Sequence, residues 1–392
     1  MLYIVAQIFK VLGFVLHSIP MGIWFAGLPL AILCLLLNGK NSNRFARRIF
    51  AQLPIMLAIG INFGIVPLLF TQTLFYKPFY TATILMAWHW FAVIPILIIG
   101  YYSVYLAAFS ISASKPQLPN TTQNNNENKR NENSAPQNCR TIIFGIIASL
   151  CLIAIGTMIV NGQTLMVRGE LWLPIMERTG IYGATTGLAN NMNDPSVWIR
   201  LATVFAISLV TTAVWSLIDS CFLLQKRVGG DVNTNDDVEY RNWVISFAFI
   251  VTIIASVMLA VIGCVTAGCK ITGFVSAGIL ELSTTEMVFF VISAIALVII
   301  GALIGTMKLS IGCRGKIFVV LVALAQVVML ASFGIIRQLG QNARLSQYVD
   351  SAKSLPIAWE AFIPFLIIFV IGAIVVGWML RQLIVSRNIE PA

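Results

Sequence analysis

Residues 49–111 read IFAQLPIMLAIGINFGIVPLLFTQTLFYKPFYTATILMAWHWFAVIPILIIGYYSVYLAAFSI. Two apolar runs, 49–70 and 81–111, flank an aromatic turn at 71–80. A helix needs roughly 20 mostly apolar residues to cross the hydrocarbon of a bilayer, and both runs meet that length. The stretch therefore reads as two membrane-spanning helices joined by a short turn. It also holds His89, one of only two histidines in 392 residues; the other, His17, lies in the preceding apolar run.

Working outward, the same criterion gives nine spans at 11–37, 49–70, 81–111, 141–161, 196–224, 242–267, 286–306, 316–336 and 357–380. The expected fold class is all-α, a polytopic membrane helical bundle. Composition demands the same class. Hydrophobic residues make up 58% of the chain and charged residues 10%, against about a quarter charged in water-soluble domains. Too little polar surface exists to clothe a globule in water, so lipid must be the solvent for much of the chain.

A formal net charge of +10 would suggest nucleic acid if it were gathered in a basic domain. The charges instead sit in short connections between apolar runs, where Lys and Arg act as orientation signals. No nucleic-acid partner is expected. With the N-terminus outside, sixteen of the 25 basic residues fall in cytoplasmic connections, which predicts an N-out, C-in topology. The N-terminus lacks a basic leader and a small-residue cleavage site, so the first span is expected to stay as a mature helix.

Seven cysteines show no CxxC, CxxCH or zinc spacing. Most lie in apolar runs as small core residues, and Cys264 and Cys269 are the two whose spacing would allow a pair. Three units are predicted: 1–111 with both histidines, an Asn-rich cytoplasmic loop at 112–140 with almost nothing to bury, and a six-helix unit at 141–392. Within the last, the outer connection 162–195 mixes Trp172 and Tyr182 with Arg168, Glu170, Glu177 and Arg178. Such a segment can lie at the membrane interface and cap one end of a bundle.

Ionisable groups inside a membrane are candidate functional residues by default. Counted from the outer ends of the predicted spans, His17 and His89 lie at similar depths, roughly 10 and 13 Å in at 1.5 Å per residue. Equal depth is what two axial ligands to one haem iron require. Gly13, His17, Met21 and Trp24 share one helix face, and Gly60, Asn62 and Gly64 supply a small-residue surface in the next helix that admits a ring or another helix. Arg168, Arg178 and Arg200 could pair with haem propionates. The expected site is thus a haem b with iron held by His17 and His89, Met21 or Met86 standing in if one imidazole points away, with a quinone against the aromatic turn. The same residues also allow structural histidines, a proton relay or a metal site, and His89 between Trp88 and Trp90 equally suits an aromatic belt.

The segment FVLHSIPMGIWFAGLPLAIL at 14–33 resembles the first helix of subunit I of the cytochrome bd quinol oxidases, and GINFGIVPLLF at 60–70 is similar to bacterial membrane proteins that accompany respiratory cytochromes. The first resemblance covers about 20 residues and implies that His17 is a haem ligand. The chain lacks that family's Gly-Arg-Gly-Arg stretch and long quinol-binding loop, so it implies neither oxygen reduction nor haem d. No P-loop, HExxH, GxSxG or dinucleotide fingerprint is present. The expectation is a multi-pass electron-transfer subunit of b-type cytochrome character in a bacterial plasma membrane, partnered by lipid and by membrane or periplasmic redox subunits. The other class is a transporter, channel or structural anchor without haem.

Overall fold

The computed structural model describes residues 2–113, 127–224, 235–271, 283–309, 315–348 and 359–386. Among them there is no strand beyond an isolated bridge between Ile181 and Ala184, and twelve α-helices carry the architecture. In chain order they are α1 (Leu2–Gly22), α2 (Leu28–Leu37), α3 (Lys40–Leu74), α4 (Tyr76–Leu85), α5 (Ala87–Ala113), α6 (Glu127–Met166), α7 (Trp172–Thr179), α8 (Pro195–Phe222), α9 (Asn235–Ile271), α10 (Thr284–Leu309), α11 (Gly315–Arg344) and α12 (Trp359–Ser386). Among the described residues, eight helical stretches are long and apolar enough to cross a membrane. The ninth predicted span, 357–380, falls on the 28-residue helix α12, with 357–358 outside the described residues.

Several boundaries differ from those read off the apolar runs. The first span begins at Tyr3 and runs to Leu37, because α1 and α2 are joined through a π-helical turn, Ile23–Gly27. A π turn inserts a residue and frees a carbonyl. That of Gly22 is taken by the Thr212 hydroxyl from α8 at 3.0 Å. The third span is broken at Met86 (φ −108°, ψ 26°), so α4 is separate and α5 starts only at Ala87. Helix α6 starts at Glu127, inside the loop predicted for 112–140, of which 114–126 lie outside the described residues. Cys264 is a free thiol, and the side chain of Cys269, the partner expected for it, lies outside the described residues.

Consecutive spans pack as pairs, α1 on α3, α5 on α6, α8 on α9 and α10 on α11. The fourth span thus packs on the third. The first and fifth spans are innermost, 67% and 61% buried, whereas the seventh is 17% buried. Small residues explain the difference. Gly22 and Gly27 let the Thr211 and Thr212 side chains of α8 approach to within contact distance, which is how membrane helices gain packing without a hydrophobic drive between them. Elsewhere, Ile94, Ile98 and Tyr105 of α5 and Ile250, Ile254 and Val261 of α9 are exposed and form apolar stripes suited to lipid.

Each end of the bundle is tied by polar groups. At one end Arg44 meets Asp237 at 2.6 Å and Lys40 meets Asp236 at 2.9 Å, joining α3 to α9. At the other, the connection 162–195 is built from a short 3-10 turn, α7 and an extended return. It docks on the α4–α5 break, where Trp88 N–H donates to the Gly187 carbonyl and Ala189 N–H to that of Leu85, both at 3.0 Å. Gly187 has φ +73°, in the left-handed region that favours glycine, and a Cβ there would press on that of Ala87 at 3.1 Å.

Candidate functional site

His17 sits in the α1–α3 interface. Its Nδ1 lies 2.7 Å from the Gly60 carbonyl oxygen, which makes Nδ1 the protonated nitrogen, because a carbonyl only accepts. Nε2 has no hydrogen-bond partner among the described residues. The ring meets the Trp24 indole edge-on, with centroids 5.9 Å apart, and rests on Gly64, where a Cβ would lie 2.8 Å from Cε1 and Nδ1. Gly64 is needed so that this imidazole can lie flat against α3.

His89 occupies the first turn of α5, next to the docked return of 162–195. Its Nδ1 is buried and has no hydrogen-bond partner, and the Trp90 indole N–H beside it is likewise unsatisfied. Such atoms are uncommon in a packed interior. Among the described residues no hydrogen bond or ring contact joins His89 to His17. His17 lies near the middle of a span running from Tyr3 to Leu37, and His89 near the start of one that begins at Ala87. The apolar run continues unbroken through Met86, so nothing in the sequence signalled that break.

The glycine surface is occupied by protein. A Cβ on Gly60 would lie 2.2 Å from Cη2 and Cζ3 of Trp24, and one on Gly13 would meet Val66 at 2.8 Å and Pro67 at 3.0 Å. Asn62 is exposed and donates to its own helix at the Ala58 carbonyl, 2.8 Å away. Met21 is half-buried against the main core. Arg168 is engaged inside the 162–195 connection, paired with Glu170 and, at 3.0 Å, with Asp194. Arg178 is exposed, whereas Arg200 is half-buried.

The prediction missed Lys10, because it placed the first span at 11–37. Lys10 is 2% exposed, donates to Gln341 Oε1, and stands 4.9 Å over the Phe75 ring. Arg337 stacks 4.9 Å from the Phe14 centroid and reaches Gln163 Oε1 at 3.3 Å. A lysine eight residues into an apolar run was the available signal.

No family model and no curated protein matches the chain. Among solved structures, a chain of the bd oxidase from Geobacillus thermodenitrificans is similar, with a TM-score of 0.58 over 98% of this chain and 98% of that one, at 13% sequence identity. At that identity the likeness is one of fold. This chain is a multi-pass all-α bundle with the fold of that oxidase chain.

Proposed function

We propose that this chain is an integral subunit of a membrane electron-transfer complex in a bacterial plasma membrane, oriented N-out and C-in. The observation that carries the reading is the fold likeness to a chain of an oxidase along essentially the whole length of both. The positive-inside count supports the orientation. Quinone is the donor class this reading implies, with a further redox subunit as acceptor.

A haem held between His17 and His89 is weighed on the packing. Singly, each imidazole suits a ligand. A backbone carbonyl on Nδ1–H fixes the tautomer and presents Nε2, as second-sphere groups do for metal-bound histidine, and His89 has an orphaned buried nitrogen. The surface expected to admit one macrocycle between them is filled by protein. Trp24 fills the space over Gly60, His17 that over Gly64, and Val66 with Pro67 that over Gly13, while Arg168 is spent on two carboxylates. We derive no electron-transfer step through such a group. The role that remains is a scaffold: α1 and α8 form a packed centre, and the lipid-facing helices offer surfaces for partner subunits.

The test is a pyridine haemochrome assay on the chain purified alone and with its native membrane partners, alongside quinol-driven electron transfer by the assembly. The expected result is no stoichiometric haem on the chain alone and quinol-dependent activity in the assembly that is lost when the chain is deleted. A stoichiometric b-type band on the chain alone, abolished by both His17→Ala and His89→Ala, would restore the bis-histidine reading. Quinol-dependent activity unchanged by deletion would remove the redox reading altogether.

A further inference from the structure

Along α11, Arg337, Gln341 and Arg344 recur at i, i+4 and i+7, and Tyr348 follows one turn beyond, so they line one face. Among the described residues, the cations of this face and those beside it are not matched by carboxylates. Lys10, Arg200, Arg337 and Arg344 have no carboxylate within 4 Å among the described residues. The carboxylates at this end have other duties. Glu170 and Asp194 pair with Arg168, and Glu286 accepts from Ser283, at 2.8 Å from the amide and 2.9 Å from the hydroxyl. Among the described residues, Lys10, Arg200, Arg337 and Arg344 thus have no carboxylate paired with them.

Unneutralised cations in a low-dielectric setting are costly, and in membrane proteins they mark sites whose counter-charge comes from a ligand. A cleft of about 250 Å³ opens on this seam, lined by Arg344, Glu170, Trp172, Gln347 and Tyr348 among others. Guanidinium groups match the geometry of phosphate oxygens. Trp and Tyr rings settle at the headgroup level of a bilayer, and basic pockets between membrane helices take anionic headgroups.

We propose that this cleft, backed by Arg200, Arg337 and Lys10, binds a phosphate-bearing anion, supplied by an acidic lipid headgroup or by free phosphate. The inference does not depend on the redox reading.

It is tested on the full chain, delipidated in detergent, by native mass spectrometry and thermal shift. The probes are phosphatidylglycerol against zwitterionic phosphatidylcholine, and inorganic phosphate against chloride. Binding of phosphatidylglycerol alone identifies a lipid site; binding of inorganic phosphate as well identifies a free-phosphate site. Arg344→Gln, at the rim of the cleft where folding is least at risk, is expected to weaken binding about tenfold, the size of one charge-assisted hydrogen bond. Arg200→Gln should do the same, and Lys77→Gln, an exposed charge outside the cleft, should change nothing. The proposal is overturned if neither anion binds better than its control, if Arg344→Gln and Arg200→Gln bind like the unaltered chain, or if Lys77→Gln weakens binding as much as they do.

Discussion

Arg48 of α3 grips Asp219 of α8 with two donors, Nε and Nη2, the latter at 2.8 Å, across 171 residues of chain. The carboxylate is 4% exposed and also accepts from Gln52 Nε2 at 2.5 Å, while Gln52 Oε1 accepts from the Trp215 indole at 2.7 Å. A third Arg48 contact reaches the Leu223 carbonyl at 3.0 Å, satisfying the end of α8. Every member of this network has its partner, which is the condition for a buried ion pair to persist.

Breaking the pair from one side leaves a guanidinium without its counter-charge. Asp219→Asn is therefore expected to destabilise the folded protein by about 3–5 kcal/mol, whereas Arg48→Met with Asp219→Leu should be far milder, since replacing both partners by apolar groups is often nearly neutral. Unfolding titrations in mixed micelles, arranged as a double-mutant cycle, measure both. A single substitution within experimental error of the unaltered chain would mean that the pair is not what holds α3 to α8.

The contact of Trp24 with Gly60 gives a second test. Gly60→Ala drives a methyl to 2.2 Å from the indole, and overpacking of this kind costs about 1–3 kcal/mol. Adding Trp24→Leu makes room and should recover most of the loss. Gly64→Ala should instead tilt the His17 ring and break its bond to the Gly60 carbonyl, seen as a shifted imidazole Nδ1 resonance. If Gly60→Ala is tolerated without loss, the α1–α3 interface is looser than described.

The membrane class and most of the spans were legible because apolar runs of that length have one meaning. Partner choice was not. Lipid-facing and core-facing residues are both apolar, so periodicity cannot tell which face of α1 meets α3 or which face of α5 meets lipid. The depth match between His17 and His89 depends on spans that begin at 11 and 81, whereas the spans begin at Tyr3 and Ala87, with a break at Met86 that the apolar run does not mark. By position alone Lys40, Arg44 and Arg48 serve as orientation signals. Their acidic partners Asp236, Asp237 and Asp219 lie far along the chain, where counting basic residues loop by loop cannot see them.

Thr212 makes the π turn testable. Its Oγ1 lies 3.0 Å from the Gly22 carbonyl and 2.9 Å from that of Ser208, so one proton is shared between a partner helix and its own. Thr212→Val should cost roughly 1 kcal/mol, within the range for hydrogen bonds between membrane helices, and Thr212→Ser should cost little. Thermal shifts in one detergent compare the two. Equal losses would assign the effect to packing of the methyl group.

Asp194 sets a pH dependence outside the spans. It is the N-cap of α8, accepting from Ser196 N–H at 2.9 Å, with Pro195 at the first helical position and Arg168 at 3.0 Å. Partial burial pushes its pKa up, but the amide of Ser196, the charge of Arg168 and the Asn191 side chain outweigh that and hold it below the ordinary carboxylate value. A carboxylate whose folded pKa is depressed stabilises fully above its unfolded value, about 3.9, and the contribution is lost as pH falls through the folded value. Hydrogen exchange of the Ser196 and Val197 amides should therefore show protection that is constant between pH 7 and 5 and falls below about 3.9. Asp194→Asn keeps a good cap and should lose only the pH dependence; Asp194→Ala should lose the cap as well, about 0.5–2 kcal/mol. Protection that stays flat through the acid range in the unaltered chain would show that the cap does not depend on the charge of Asp194.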